Sequence, residues 1–203
     1  MLKLVKSFDF IKQIIIFALF QNKLYMLGFN YKKSVQALNL FFFFSGGTIN
    51  KMRALKLIWL ADRLHIRKYY RPILNDTYFA LNYGPVASHT KDLIEDNSFL
   101  SEEEKNYRNL YIQSEDKYNY KSLSGFDSKV FSESDIHAMN KIYEVFGELG
   151  EFKLSEESHK YPEWKRFESH LNSKSSSRFE MSYEDFFADF SPGENPVFEL
   201  DHT

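Results

Sequence analysis

The stretch that decides the fold runs from Leu57 to Ile73 and reads LIWLADRLHIRKYYRPI. Its apolar residues recur with helical spacing, and the pattern predicts one long helix from Asn50 to about Tyr69. The helix must end near there, because the residue before Pro72 is pushed out of the helical region of backbone space. Apolar residues surround most of this helix, so we expect it to lie at the centre of the domain.

Two polar residues lie on the apolar side of this helix, where Asp62 and His65 are neighbours of Trp59. A buried carboxylate is costly unless it is paired or hydrogen-bonded. We therefore expect Asp62 to accept hydrogen bonds from the turns that follow the helix. The expected donors are either Arg71 or the backbone of Tyr83-Gly84.

Asp62 and His65 are three residues apart on one helix face, which could supply two ligands of a metal site, but a complete site would need more ligands. A structural hydrogen-bond network is therefore favoured, and we assign no metal and no cofactor. The sequence contains no phosphate-binding glycine loop, no nucleophile elbow and no HExxH motif. No catalytic residue is assigned, and we expect the protein not to be an enzyme.

The chain has 203 residues with 21 Phe, 13 Tyr and no Cys. The aromatic content suffices for a substantial core. The lack of cysteine excludes a disulfide scaffold, a thiolate metal site and a cysteine nucleophile. It also fits a reducing compartment, so we expect a cytoplasmic protein. The N-terminal apolar patch is interrupted by polar residues and is shorter than the roughly 18 residues of a membrane span.

Charge is unevenly distributed although the net charge is only −2. Lys56, Arg63 and Arg67 form a basic stripe on the central helix. The stripe is either a solvated helix face, a contact for an acidic protein surface or a contact for nucleic acid. The sequence shows no zinc finger and no recognisable helix-turn-helix, which argues against nucleic acid. Residues 179–203 carry only acidic charges and are either a solubilising tail or a docking segment.

The remaining pattern predicts an α+β fold, a mainly helical single domain with a small antiparallel sheet. The sheet is expected from residues 77–82 and 106–122, with a turn at Tyr83–Val86. Further helices are predicted at Tyr31–Phe44, Ser88–Glu95 with Ser88 as cap, Ser132 to Phe146, Leu154–Lys160 with Ser155 as cap, and Met181–Phe190. The expected division is an N-terminal extension at 1–30, a domain at 31–171, and a linker and acidic tail at 172–203. Met26 is an alternative start.

The segment 50–86, NKMRALKLIWLADRLHIRKYYRPILNDTYFALNYGPV, resembles the Panacea domain, also called the SocA-like domain of bacterial and phage antitoxins. The shared pattern comprises NKM, LADR followed by His after one intervening residue, RPI, a DxY strand and YGPV. Two later segments also match, SESDIHAMNKIYEVFG and LSEESHKYPEW. The resemblance covers about residues 31–168. One departure is Tyr70, where the family pattern has Gly, and a positive φ would strain it.

The resemblance implies an antitoxin that neutralises the toxin of a neighbouring gene by direct protein–protein binding. It leaves two alternatives, a proteolytic adaptor that delivers a protein to a protease and a nucleic-acid-binding regulator. Residues expected to contact the partner are Lys56, Arg63, Arg67, Arg71, Tyr83, Gly84, Pro85 and Trp164. Motif residues expected to be structural are Asp62, His65, Asp76 and His159.

Overall fold

The computed structural model describes residues 28–190. Within this range there are eight α-helices, numbered here in chain order. They are α1 Tyr31–Phe44, α2 Lys51–Tyr69, α3 Ser88–Glu95, α4 Glu102–Asn109, α5 Glu133–Phe146, α6 Glu151–Ser158, α7 Pro162–Lys165 and α8 Glu168–Asn172. The strands are β1 Thr48–Asn50, β2 Tyr78–Leu81, β3 Gly84–Ala87, β4 Ile112–Ser114, β5 Asn119–Ser122 and β6 Arg178–Met181. Two 3-10 helices cover Ser128–Val130 and Tyr183–Phe187.

Helix α2 is the central element, as its pattern predicts. The Asn50 side chain caps it by accepting from the amides of Met52 and Arg53. Every residue from Ala54 to Ile66 is buried, and the helix packs against α1, α5, α6 and β3. A helix buried all round in this way needs a partner for each polar side chain, which makes those side chains the most informative part of the fold.

Tyr70 ends α2 in the left-handed conformation, with φ of 57°. Its amide donates to the Ile66 carbonyl over 2.8 Å. This conformation normally favours glycine, and a bulky residue there costs on the order of 1 kcal/mol. The Tyr70 ring stacks on Phe187 at 5.8 Å and 15° between planes. That contact offsets part of the strain that the sequence predicts at this position.

The strands form two antiparallel sheets of three strands, in the orders β1-β5-β4 and β3-β2-β6. The mainly helical α+β class is therefore confirmed, but the expected single sheet is wrong. Strand β2 has both edges occupied, by β3 through a tight hairpin and by β6 from the end of the domain. Strand β5 pairs instead with β1 and β4. The expected turn is also shorter, because Gly84–Ala87 is strand β3 and only residues 82–83 turn.

The segment after residue 172 belongs to the fold as far as residue 190. Its expected helix at Met181–Phe190 is wrong, since Arg178–Met181 forms β6 and Tyr183–Phe187 a 3-10 helix that Ser182 caps. Phe186 is fully buried. The expected linker is exposed at residues 172–175, whereas the segment from Arg178 onward pairs with β2 and packs on the core, and is therefore not a solvated tail as far as residue 187. The expectations for residues 1–27 and 191–203 lie outside the described part of the chain.

Two expected helix caps are also corrected. Ser88 does not cap α3. Asp76 does so from a distance, by accepting from the amides of His89 and Thr90 at 2.9 and 2.8 Å. Helix α6 begins three residues before Leu154, so Ser155 lies inside it and its hydroxyl is free for another partner. None of the described helices is long and apolar enough to cross a membrane.

Candidate functional site

Asp62 anchors the segment that follows α2. It is fully buried and accepts from the Tyr78 hydroxyl over 2.6 Å and from the Ile73 amide. Burial raises the pKa of Asp62 to about 7, while these two hydrogen bonds act in the opposite direction. The Arg-Pro-Ile turn is pinned to α2 as expected, but the expected donors, Arg71 and Tyr83-Gly84, are wrong. The nearer donors on Ile73 and Tyr78 fill both carboxylate oxygens.

Arg71 contacts a different carboxylate, that of Asp135 at the start of α5, over 2.9 Å. Lys33 of α1 reaches the same group over 2.6 Å. Burial acts to raise the pKa of Asp135, but Lys33 and the Ser132 amide, with Arg71, outweigh it and hold the pKa below its ordinary value. This buried carboxylate therefore ties α1 and the end of α2 to α5.

His65 is an internal strut, as the resemblance implies. Its Nδ1 donates to the Arg71 carbonyl over 2.7 Å, and its Nε2 lies 3.1 Å from the Ser134 hydroxyl. Burial lowers the pKa of His65 to about 4, so the ring is neutral near pH 7. Among residues 28–190, no group of three or more metal-ligating side chains is placed to hold a metal ion.

The basic stripe is not on the surface. Lys56 and Arg63 are buried, and the Arg67 side chain is only 17% exposed. Arg63 pairs with Glu163 over 2.8 Å and lies over the Tyr161 ring. The solvated-face interpretation is thus wrong, because α7 and the 3-10 helix Tyr183–Phe187 cover this side of α2. The periodicity of α2 alone cannot reveal a counter-charge located 100 residues further along the chain.

Lys56 has a different environment from Arg63. Its Nζ donates to the Pro85 carbonyl over 2.7 Å, at the start of β3. Burial lowers the pKa of Lys56 to about 7, and no carboxylate of the described residues forms an ion pair with it. Burying an ammonium group that bonds only to a backbone carbonyl costs free energy. This cost is incurred at the turn that the bond holds.

Side chains from the segment 155–164 also hold this turn. They share one role, which is to bind the backbone of residues 81–83. Trp164 Nε1 donates to the Leu81 carbonyl over 2.8 Å, and the Ser155 hydroxyl donates to the Tyr83 carbonyl over 3.0 Å. Trp164 and His159 also stack on each other, with ring centroids 3.8 Å apart. The backbone of the turn is thus bound by side chains from two parts of the chain, α2 and the segment 155–164, which leaves it little freedom.

Gly84 allows this close approach. Its φ is +94°, and a Cβ there would lie 2.1 Å from Ser158 Oγ and 2.9 Å from Lys56 Nζ. A side chain would both strain the backbone and displace these two groups. Gly84 and Pro85 are buried, so neither can contact a partner directly. Trp164, only 3% exposed, is likewise a core residue and not a surface contact.

Tyr83 is the exception in the expected contact set. Its side chain is 66% exposed, while its own carbonyl is bound by Ser155. We call the segment Leu81–Pro85 the clamped turn. It presents one large aromatic side chain to solvent, and its backbone is fixed by hydrogen bonds from buried side chains. This arrangement is suited to binding, since little order remains to be imposed when a partner arrives.

Sequence reasoning missed two polar groups of this region and misassigned a third. Ser158 and Glu163 were given no role, and Ser155 was expected to cap a helix, whereas its hydroxyl binds Tyr83. All three lie in the segment LSEESHKYPEW, which carries part of the family resemblance. The resemblance of that segment to the family pattern was the sequence feature that could have revealed these groups. In the structure the segment binds the turn that contains YGPV.

A family model described as antitoxin SocA-like, Panacea domain, matches residues 55–165. The matched range includes Lys56, Asp62, the clamped turn and its support as far as Trp164. No curated protein and no solved structure gave a significant match to the chain.

Proposed function

The chain belongs to the SocA-like antitoxin family with a Panacea domain, and from this premise we propose that it neutralises a toxin encoded beside it by binding that toxin directly. The family match carries the proposal, because it covers the elements that form the clamped turn and its support. The proposed action is binding and not catalysis, and its proposed place is the cytoplasm.

The structure supports a binding role at one position above all. A tyrosine that is 66% exposed on a backbone held by three side chains is a pre-formed contact. Exposed Tyr side chains are among the residues that most often dominate protein–protein affinity. The nucleic-acid alternative has less support, since Lys56 and Arg63 are buried and cannot reach phosphates.

Co-expression with the product of the adjacent reading frame tests the proposal. We expect the neighbour alone to stop growth, and the pair to restore growth and to co-purify as a complex. A harmless neighbour, or no complex, would contradict the proposal. Rescue that disappears in a host lacking its main cytoplasmic proteases would instead support the adaptor alternative.

A further inference from the structure

An exposed aromatic patch lies where the clamped turn meets α6. It consists of Tyr83, which is 66% exposed, and Phe152, which is 67% exposed. Phe152 is one helical turn before Ser155, and the Ser155 hydroxyl donates to the Tyr83 carbonyl over 3.0 Å. Residues three apart on a helix are neighbours, so Phe152 lies within one helical turn of the group that binds the Tyr83 backbone.

The rim of this aromatic patch is acidic. Glu148 and Glu151 precede Phe152, and neither forms an ion pair within the described residues. The nearest lysine in sequence, Lys153, is paired with Glu156 over 2.9 Å. Like charges without partners favour a binding surface of opposite sign.

The buried cations strengthen this inference. Lys56 lies directly under the clamped turn, but it is 1% exposed and therefore adds no positive charge to the surface. The sequence alone suggests a basic surface for an acidic partner, whereas the fold encloses those charges and leaves carboxylates outside. The charge that a partner meets is thus the reverse of the one that the basic stripe suggests.

We propose that the aromatic patch is the docking surface for the toxin, and that the toxin presents an apolar pocket bordered by Lys or Arg side chains. This inference rests on the proposed antitoxin function and names the surface that performs it. Tyr83 supplies the anchor, because its backbone is already ordered and its ring has few rotamers to lose. Phe152 extends the apolar contact, and the free carboxylates guide the approach of a basic partner.

Titration calorimetry with the purified product of the adjacent reading frame tests the proposal. We expect Tyr83→Ala and Phe152→Ala each to weaken binding by about 30-fold or more, as truncation of an interface anchor does. Phe99 is 88% exposed on the loop between α3 and α4, outside the patch, and Phe99→Ala is the matched control. It should change the affinity by less than about 2-fold.

Charge reversal tests the chemistry of the partner. Glu151→Lys should weaken binding by about 5-fold at low salt, and the affinity of the unaltered chain should fall as salt is raised. Affinity that is independent of salt and of Glu151→Lys would overturn the basic rim. The aromatic variants change exposed side chains, and Glu151 is partly exposed in the first turn of α6, so a melting curve must show that each variant is folded.

The outcomes separate this proposal from the one on which it rests. If the unaltered chain binds the neighbour and both aromatic variants bind equally well, the docking surface is wrong and the antitoxin function stands. If the unaltered chain does not bind the neighbour, both proposals fail. Loss of binding in Phe99→Ala, with Tyr83→Ala unaffected, would place the surface at the other end of α3.

Discussion

Two turns in this domain are fixed to α2 by a buried ionisable group, and they have opposite consequences. Asp62 binds the turn at Ile73 through an amide and a hydroxyl, and Lys56 binds the clamped turn through a carbonyl. At the first turn Ile73 is itself buried, which closes the core. At the second turn Tyr83 remains exposed. The same kind of anchor thus serves packing in one place and presentation of a side chain in the other.

The two anchors also respond to pH in opposite directions. The pKa of Asp62 is raised to about 7, so its contribution to stability is present below its unfolded pKa of about 4 and is lost as the pH rises to about 7. The pKa of Lys56 is lowered to about 7, so its contribution is present above its unfolded pKa of about 10 and is lost as the pH falls to about 7. Near pH 7 the Asp62 carboxyl group and the Lys56 amine are each close to the midpoint of their titration.

The largest effect is expected at the Asp62 anchor. Asp62→Ala leaves the Ile73 amide and the Tyr78 hydroxyl without a buried acceptor, and we expect the free energy of unfolding to fall by about 4 kcal/mol. Chemical denaturation measures this value. Tyr78→Phe removes only one donor and should cost about 1 kcal/mol. An unchanged melting temperature for Asp62→Ala would contradict the structural role of this residue.

Gly84→Ala tests how closely the clamped turn approaches its support. We expect a loss of about 3 kcal/mol in the free energy of unfolding, from backbone strain together with the contact on Ser158 Oγ. Gly46→Ala is the matched control, since Gly46 also has a positive φ, +77°, but open space around its Cβ position. It should cost only about 1 kcal/mol.

A second variant isolates the contact from the strain at Gly84. Combining Gly84→Ala with Ser158→Ala removes the nearest atom, and the pair should recover part of the loss. Additive losses would show that Ser158 does not limit the space at this turn.

The pH response tests the Lys56 anchor. Between about pH 7 and about pH 9, the free energy of unfolding of the unaltered chain should rise by about 2 kcal/mol relative to Lys56→Met. Met fills a similar volume and cannot titrate, so the variant lacks this term. Denaturation curves at the two pH values give the difference directly. A rise of equal size in both proteins would show that another group is responsible.

The smallest effect is expected at Trp164. Trp164→Phe leaves the Leu81 carbonyl without its donor but keeps an aromatic ring against His159, and we expect a loss of about 1 kcal/mol. Hydrogen exchange at the amides of residues 81–84 should become faster in this variant. Exchange rates equal to those of the unaltered chain would mean that this donor does not help to hold the turn.

These two regions also show how far the sequence alone leads. The central helix and its end near Tyr69 follow from local spacing and from Pro72, and both are confirmed. The need for a partner at Asp62 was equally predictable, because a carboxylate on an apolar face must be satisfied. The identity of that partner was not, since Tyr78 meets Asp62 only after the chain has turned twice.

The prediction that the basic stripe lies on the surface was wrong for the same physical reason. Helical periodicity places Lys56 and Arg63 on one polar face, but Glu163 and the Pro85 carbonyl cover that face from distant parts of the chain. The helical periodicity of α2 contains no information about such contacts with distant residues. Strand β6 likewise could not be predicted from the sequence, because it pairs with β2, which lies about 100 residues earlier in the chain.

The most direct test of the central claim, that the clamped turn is the part of the domain which meets the toxin, is hydrogen–deuterium exchange of the free chain and of its complex. We expect new protection on complex formation to concentrate at residues 82–84 and 151–156, with the Asp62 anchor equally protected in both states. Protection confined to other surfaces, with residues 82–84 exchanging as in the free chain, would contradict the account.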